Sequence, residues 1–592
     1  MSNLYTLLGI VFKLPLKHLG KKITISTVLL AVAVIAISHR AFAQEGNFSD
    51  LPKNGLDNPD IRELILTTDD GTICRWIGVT TTSEPGNYLL RITSLRNGIV
   101  LVSKPECESL SGFDANEIIG MFPNQAVVIR KGPETGFERS LDLPKPVLSW
   151  ETGANRSYLI PALEIPGFIF ALNGFDRLVF GNEVEDGKKV YSTNLSTFWD
   201  HLVHGSWRYD KDAFHVNQFL HPYQGSIYHG FARSTGLNFW ESLGYTFMGS
   251  FLWETAGETT PPSLNDQVAS GIAGTFFGET LFRMASLVLE SGGGDPGFWR
   301  ELGAAALSPP TGFNRLVFGD RFKPVFPSHN PAIFQWLRLG GGHVVDNGTG
   351  SSITKDQASL NYSMSYGLPG QSNYSYTRPF DYFQVEITAT SRGKRPVENI
   401  TTRGLLLVTK YQVGKTYRGV WGLYGGFDYL SQPEFRVSST TASLGTTAQW
   451  WIAPSVALQG TILGGFGIGG GGKVPGEGER DYHYGGTGRG VLALRLILSD
   501  VAMFNVTGRG YYISSLGSSD PGKETIGHLE TGLTLRIYGH HALGVQYIAL
   551  RRDGSHPGLA DITQTLGTFS LLYTLLGDTR FGAVEWRNGP RP

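Results

Sequence analysis

Apolar and polar positions alternate with a period of two through residues 332–588. In "QASLNYSMSY", Ala358, Leu360, Tyr362, Met364 and Tyr366 alternate with Gln357, Ser359, Asn361, Ser363 and Ser365. In "YFQVEITAT", Phe383, Val385, Ile387 and Ala389 alternate with Gln384, Glu386 and Thr388. "HLETGLTLRIY" sets Leu529, Leu533, Leu535 and Ile537 against His528, Glu530, Thr534 and Arg536, and "TFSLLYTL" does the same with Phe569, Leu571, Tyr573 and Leu575 against Ser570 and Thr574. Such segments are strands with one apolar and one polar face. Lipid tolerates no open sheet edge, so strands of ~9–11 residues with the polar face turned inward predict a closed transmembrane antiparallel β-barrel. The pattern predicts about twelve strands, with two of slack either way. Trp336, Tyr382, Trp421, Trp450, Trp451, Tyr511 and Trp586 lie near strand ends, where interface girdles belong. "GIGGGGKVPGEGERDYHYGG" reads as an exposed loop, and "FGAVEWRNGPRP" runs six residues past the final aromatic, unlike the usual barrel ending. A soluble β-sandwich has the same alternation; length, strand number and export weigh against it.

Upstream, over residues 156–325, the period changes. "NFWESLGYTFMGSFLWETAGE" (238–258) is a helix pattern, with Asn238 as N-cap and Glu241 completing a capping box. Ser263 and Asp266 start a second helix, in which Ser270, Gly274 and Gly278 form a smooth stripe that lets another backbone approach closely. "GFDRLVFG" (174–181) and "GFNRLVFG" (312–319) match at seven of eight positions. A spacing of 138 residues is too long for a solenoid repeat, and predicts two equivalent docking turns with Arg177 and Arg315 in matching roles, chance similarity being the alternative. Residues 44–155 carry short strand-like runs, "YLLRITSL" and "QAVVIRKG", between turn signals, and read as a small strand-leaning periplasmic domain.

The N-terminus sets the address. Lys13, Lys17, Lys21 and Lys22 precede "TVLLAVAVIAI", which leads into "SHRAFAQ". A basic region, a short apolar run and an Ala-x-Ala-like site predict a signal peptide, residues 1–43, cut after Ala43; the apolar run is short for a membrane anchor, which needs ~20 residues. The expected location is the outer membrane of a Gram-negative bacterium, with outer-membrane lipids and the barrel-assembly machinery as partners. Composition agrees: charged residues are 17%, with 77 Gly, 24 Tyr, 34 Phe and 12 Trp, and mean hydropathy is −0.10. Removing residues 1–43 takes away five basic and no acidic residues, leaving 51 acidic against 45 basic. No basic patch appears, so nucleic acid is not an expected partner. The two cysteines, Cys74 and Cys107, are a candidate disulfide in an oxidising periplasm, or two buried thiols.

Polar residues concentrate in "VNQFLHPYQGSIYHGFARSTGLNFWES" (216–242). The order His221-Pro222-Tyr223, Gly225, Tyr228, Ala232-Arg233, Phe239-Trp240-Glu241-Ser242, Trp253-Glu254, Pro262-Ser263 and Gly278-Glu279 resembles the pattern of domain-of-unknown-function family 3943. The match spans about 75 residues, roughly 215–290. The resemblance implies an outer-membrane-associated protein and supplies no activity, substrate or site.

Three chemistries compete for these residues. A metal site would draw on His201, His204, His215, His221 and His229, five of the 14 histidines within 29 residues, with Glu241, Glu254 and Glu258 nearby. None has the spacing of a known zinc motif, so the expectation is no metal and no cofactor. A lipid or lipid A hydrolase would use Ser226 with His229 one turn away, or His221, but there is no GxSxG elbow and no identifiable oxyanion donor. The third reading is a structural polar network of His221, Tyr223, Arg233, Glu241, Glu254, Glu258, Glu279 and Arg283, in which Glu279 pairs with Arg283 at i, i+4 and Arg233 with Glu254 or Glu258. This network would hold a helical unit in or against the barrel lumen. The sequence therefore predicts a non-enzymatic barrel over residues 326–592, either plugged for binding or passage of a small or lipid-like ligand, or structural. The alternative is the hydrolase.

Overall fold

The computed structural model describes residues 147–587 apart from short breaks (186, 211, 293–295, 347–352, 372, 392–396, 433–435, 473–479 and 516–521), together with the backbone of four short strands nearer the N-terminus. Those strands, Glu63–Thr67, Ile73–Ile77, Leu90–Thr93 and Ala126–Ile129, form one antiparallel sheet. The signal peptide and Cys107 lie outside the described residues, and so does the Cys74–Cys107 pairing.

Twelve strands close the barrel: β1 Ile333–Asp346, β2 Ile353–Tyr366, β3 Phe383–Thr390, β4 Val397–Val413, β5 Tyr417–Ser431, β6 Arg436–Ala453, β7 Val456–Gly472, β8 Tyr482–Leu498, β9 Ala502–Ile513, β10 Lys523–Tyr538, β11 His541–Ser555 and β12 Ile562–Leu576. Each pairs antiparallel with the next, and β12 returns to β1 with Leu566 opposite Asp346 and Leu576 opposite Trp336. The strands run from eight to 18 residues, longer for the most part than the span the pattern suggested. Much of the expected Gly-rich loop is strand, because β7 runs to Gly472 and β8 starts at Tyr482. Two- and three-residue turns join β4 to β5, β6 to β7, β8 to β9 and β10 to β11, all at the end where β1 begins and β12 finishes.

The polar faces meet inside. Arg509 on β9 reaches Glu386 on β3, six strands away around the ring, at 3.1 Å, so this ion pair spans the lumen. Arg489 on β8 grips Asp428 on β5 through two 2.8 Å contacts, and the Tyr511 hydroxyl donates to the same carboxylate at 2.8 Å. Nearer the far end, Arg552 holds Glu524 at 2.9 and 3.0 Å. After β12 the chain turns back into the barrel mouth. There Gln449 donates to the Val584 carbonyl at 2.7 Å and accepts from its N–H at 2.9 Å, and Gln459 donates to the Gly582 carbonyl at 2.7 Å. Phe581, Val584 and Trp586 join Phe334, Trp336, Tyr382, Tyr424 and Trp451 in a buried apolar cluster at that end. A second cluster, including Leu430, Val437, Tyr511, Ile513, Ile526, Leu550 and Leu566, lies towards the other end.

The opposite strand parity faces out. Leu492, Leu529, Leu533, Leu535, Phe569 and Leu571 are exposed, with Phe466 the extreme at 82%. Of the expected girdle aromatics only Trp421 and Trp450 stand on this wall; Trp336, Tyr382, Trp451, Tyr511 and Trp586 are buried inside. Proximity to a strand end does not determine parity. Tyr512, one residue past Tyr511, is the exposed ring.

Among the described residues eight α-helices precede the barrel: α1 Leu159–Val179, α2 Leu195–Val203, α3 His221–Ser234, α4 Phe239–Ala256, α5 Leu264–Val268, α6 Gly274–Glu290, α7 Gly297–Leu307 and α8 Pro309–Phe318. A π-helical turn, Ala269–Ala273, joins α5 and α6 into one 27-residue run. The capping box at Asn238 and Glu241 starts α4, and the Ser263 hydroxyl caps the Asp266 N–H at the start of α5. The small-residue stripe is where α3 crosses: a Cβ added to Gly225 would meet the Ser270 carbonyl oxygen at 1.9 Å, and one on Gly274 would meet Gly225 Cα at 2.6 Å. The two echoed segments are the C-terminal ends of α1 and α8, not docking turns. Their arginines clamp the chain leaving each helix, Arg177 through the carbonyls of Tyr191 and Thr193, and Arg315 through the Lys323 carbonyl and Glu301.

The expected contact between helices and barrel is present, but on the outer wall, not the lumen. Phe276, Phe277 and Met284 share a buried cluster with Val385, Ile387, Ile400, Phe427 and Tyr429, all of the outward parity. The Thr280 and Thr402 hydroxyls meet at 2.7 Å, the Ser438 hydroxyl donates to Gln218 at 2.6 Å, and Asn217 donates to the Tyr482 hydroxyl at 2.8 Å. The reason is solvation: largely apolar helices bury their faces against an apolar wall, whereas the lumen is lined with charged and polar side chains, several of them ion-paired.

With both native cysteines replaced by alanine, a Thr280→Cys/Thr402→Cys variant will cross-link on oxidation and migrate differently on a non-reducing gel. The pair Thr280→Cys/Thr401→Cys, with the second thiol turned into the lumen, will not. Cross-linking of the Thr401 pair alone would place the helices inside.

Candidate functional site

Two buried polar assemblies occupy the helical unit, one near each end of the barrel. The first is a charge ladder. Glu279 on α6 accepts from Arg233 Nε on α3 at 2.7 Å and from Arg283 Nε, one turn along its own helix, at 2.8 Å, and its Oε2 lies 3.1 Å from His229 Nε2. Arg283 continues to Asp381, in the segment between β2 and β3, at 2.8 Å and to the Pro379 carbonyl at 2.6 Å. Asp381 also accepts the backbone N–H groups of Thr377 and Arg378. Burial alone would raise the Asp381 carboxyl, but Arg283 and Arg378 outweigh it and hold it below its ordinary value. The Arg233 guanidinium lies 4.7 Å from the Phe282 ring and 4.9 Å from that of Phe326. Two carboxylates thus meet Arg233, Arg283 and Arg378, and the ladder ties α3 and α6 to the barrel.

The second assembly is acidic and lies by Tyr482, level with the far end of the barrel. Asp210, His221, Glu254, Glu258 and Asp266 converge there with Asn217 and Asn265. Asp210 Oδ1 accepts from both asparagine side chains at 2.5 Å, and Asn265 reaches Asp266 Oδ1 as well, at 3.3 Å. His221 Nε2 stands 3.6 Å from Asp266 Oδ2. Glu254 accepts the Ser263 N–H at 2.8 Å, while Glu258 accepts from the Trp253 indole at 3.1 Å and from Thr260 at 3.0 Å. Burial, then the neighbouring Asp266, pushes Asp210 up to about 8. Burial, then Asp212, does the same to Glu258. No ion pair seen among the described residues joins Asp210, Glu254 or Asp266 to a lysine or arginine.

The sequence-predicted residues therefore separate into groups. Arg233 pairs with Glu279, not with Glu254 or Glu258, because α6 and not α4 supplies the carboxylate beside it. The Glu279–Arg283 pair forms as spaced. Glu241 leaves the network for the surface, where it caps α4 and binds Arg156 at 3.1 Å and the Tyr158 hydroxyl at 2.6 Å. Tyr223 packs its ring near Phe219. The five clustered histidines do not converge: His201 is on α2 and His204 caps its C-terminus beside Asp200, while His221 and His229 serve different assemblies. The proposed nucleophile pair is not assembled either. The Ser226 hydroxyl donates to the Tyr223 carbonyl at 2.6 Å, and the His229 ring is held between Glu279 and Thr246. Sequence reasoning missed Asp210, Asn217, Asn265 and Asp381, and saw Asp266 only as a helix start. The "ND" following the Pro-Ser cap was the one local signal for this pocket.

Among the described residues, two groups place three ligand-type atoms within 4.8 Å of one another: His221, Glu254 and Asp266 in the acidic pocket, and His483, Glu524 and His556 within the barrel. In the second, Arg552 already neutralises Glu524 through both carboxylate oxygens.

A closed antiparallel barrel of twelve strands, ion-paired within and apolar without, is a barrel of the outer-membrane type. Residues 206–310, which carry most of both assemblies, match the family model described as "Domain of unknown function (DUF3943)". No curated protein matches the chain. Among solved structures it is similar to the NanC porin (10% identity, 40% of this chain and 98% of that one, TM-score 0.22). It is also similar to an anion-selective porin from Comamonas acidovorans (8% identity, 41% and 99%, TM-score 0.19) and to the translocator domain of autotransporter NalP from Neisseria meningitidis (13% identity, 41% and 89%, TM-score 0.19).

Removing one partner of a buried ion pair strands the others, so Glu279→Ala will cost ~3–5 kcal/mol of unfolding free energy. Ser226→Ala, which loses one hydroxyl-to-backbone bond, will cost about 1 kcal/mol. Denaturant titration of the detergent-folded protein measures both, and equal costs would contradict the assignment.

Proposed function

We propose that this protein is a non-conducting outer-membrane barrel whose role is structural: it holds the helical unit against its outer wall, within the bilayer. One observation carries this reading. Most lumen-facing side chains are buried along the barrel, the Arg509–Glu386 ion pair bridges it, and residues 581–587 cap one mouth. Such an interior supports anchoring, and offers no support for passage of a small molecule.

Placement in lipid rests on the outer surface of the helical unit. Leu159, Leu163, Phe170 and Leu178 on α1 and Leu316 on α8 are exposed, and α1 is otherwise little buried. The 27-residue run from Leu264 to Glu290 extends ~40 Å at 1.5 Å per residue, enough to cross a hydrocarbon core of ~30 Å. The short turns mark the periplasmic end, as in barrels of this type. In this reading residues 1–43 are a cleaved signal peptide, the host is Gram-negative, the barrel-assembly machinery inserts the chain, and outer-membrane lipids are its surroundings. The protein is non-enzymatic, since neither Ser226 nor His229 is free to act on a substrate.

Reconstituted into a planar bilayer, the folded protein will show no stepwise conductance. Reproducible discrete steps from protein shown to be folded would contradict a closed lumen and restore a passage function.

A further inference from the structure

We infer that the acidic pocket is a binding site for one divalent transition-metal ion of the manganese, iron or zinc class, with His221, Glu254 and Asp266 as ligands and Asp210 as the fourth donor. The first ground is charge. Glu254 and Asp266 are buried at 4% and 3% exposure, Asp210 is partly buried beside them, and among the described residues none of the three has a lysine or arginine partner. Three other deeply buried carboxylates do have cationic partners: Glu279 has two arginines, Asp428 has Arg489 and Glu524 has Arg552. An unpaired buried charge is costly, and a coordinated cation is one of the few ways to offset several at once.

The second ground is independent of the carboxylates. His221 is buried at 5% exposure, its Nδ1 has no hydrogen-bond partner, and its Nε2 faces Asp266 at 3.6 Å, beyond hydrogen-bond length. Buried imidazoles normally find partners for their nitrogens, and among the described residues this one leaves Nδ1 without a partner while Nε2 faces the Asp266 carboxylate.

Geometry and second contacts fit. Two ligand atoms ~2.1 Å from a common ion are at most ~4.2 Å apart, so atoms already within 4.8 Å need only a small side-chain adjustment to converge. Glu254 is fixed by the Ser263 N–H and Asp210 by Asn217 and Asn265, the outer contacts that orient ligating carboxylates. An imidazole beside carboxylates in a desolvated pocket suits manganese, iron or zinc better than calcium, which takes six to eight oxygen ligands. The barrel trio of His483, Glu524 and His556 fits less well, because Arg552 already holds its carboxylate.

The test uses the full folded protein in detergent, stripped with chelator and equilibrated separately with Mn2+, Zn2+ and Ca2+, with retained metal counted by mass spectrometry after desalting. One equivalent of Mn2+ or Zn2+ is expected, with calcium bound far more weakly. Glu254→Gln and Asp266→Asn will each weaken binding about tenfold or more, while Glu524→Gln leaves it unchanged. If the pocket variants fail to fold, the wild-type Mn2+ complex decides alone, since pulsed electron paramagnetic resonance reads a directly bound imidazole nitrogen. No retained metal, a manganese signal without nitrogen coupling, or loss of binding only in Glu524→Gln would overturn the site.

Discussion

Every barrel strand has two faces that must satisfy opposite solvents, and in this protein the inner solvent has been replaced by charge. Arg509 and Glu386 bridge the full width of the lumen, with Arg489, Asp428 and Tyr511 beside them. These groups, which in an open barrel would be hydrated, find their partners on other strands, so register errors are penalised twice. A one-residue slip would turn these charges to lipid and the leucines of β10 and β12 inward. In the proposed reading the same arrangement closes the lumen, with the Arg509–Glu386 pair lying across it between the two apolar end clusters.

That constraint also decides where the helices go. With the interior committed, the apolar wall is the remaining surface able to bury Phe276, Phe277 and Met284. Thr280–Thr402 and Ser438–Gln218 bonds fix the approach, and the Glu279–Arg283–Asp381 chain fastens its lower end. Within the unit, α3 and α6 meet almost backbone to backbone at Gly225 and Gly274, which suits association in lipid, where packing and hydrogen bonds do the work that water expulsion does elsewhere. The helical unit is then a membrane-length bundle annexed to a barrel, with its acidic pocket near one end and its charge ladder near the other.

Much of this was legible in the residue pattern, for a definite reason. Period-two alternation in "YFQVEITAT" or "HLETGLTLRIY" states which residues share a face, and the structure keeps those faces: Glu386 and Glu530 inside, Val385 and Leu529 outside. Asn238 with Glu241, and Ser263 with Asp266, mark helix starts because their bonds are local. What pattern cannot carry is the partner across space. Val385 and Leu529 look alike in sequence, yet one lies under α6 and the other faces out. Arg233 finds Glu279, 46 residues away, in preference to nearer glutamates. Asp210, between Tyr209 and Lys211, has no periodic context to set it apart from a loop residue, and becomes informative only once Asp266 and Asn265 are seen beside it.

The central claim is that the helical unit lies in the bilayer on the outer wall. Spin labels at Phe170 on α1 and Leu529 on β10, with the protein in lipid nanodiscs, test it most directly through relaxation by oxygen, which partitions into lipid, and by a water-soluble nickel chelate. The account predicts that both labels respond strongly to oxygen and weakly to nickel. A Phe170 label relaxed mainly by nickel, beside a lipid-like Leu529 label, would put the helices in water and contradict it.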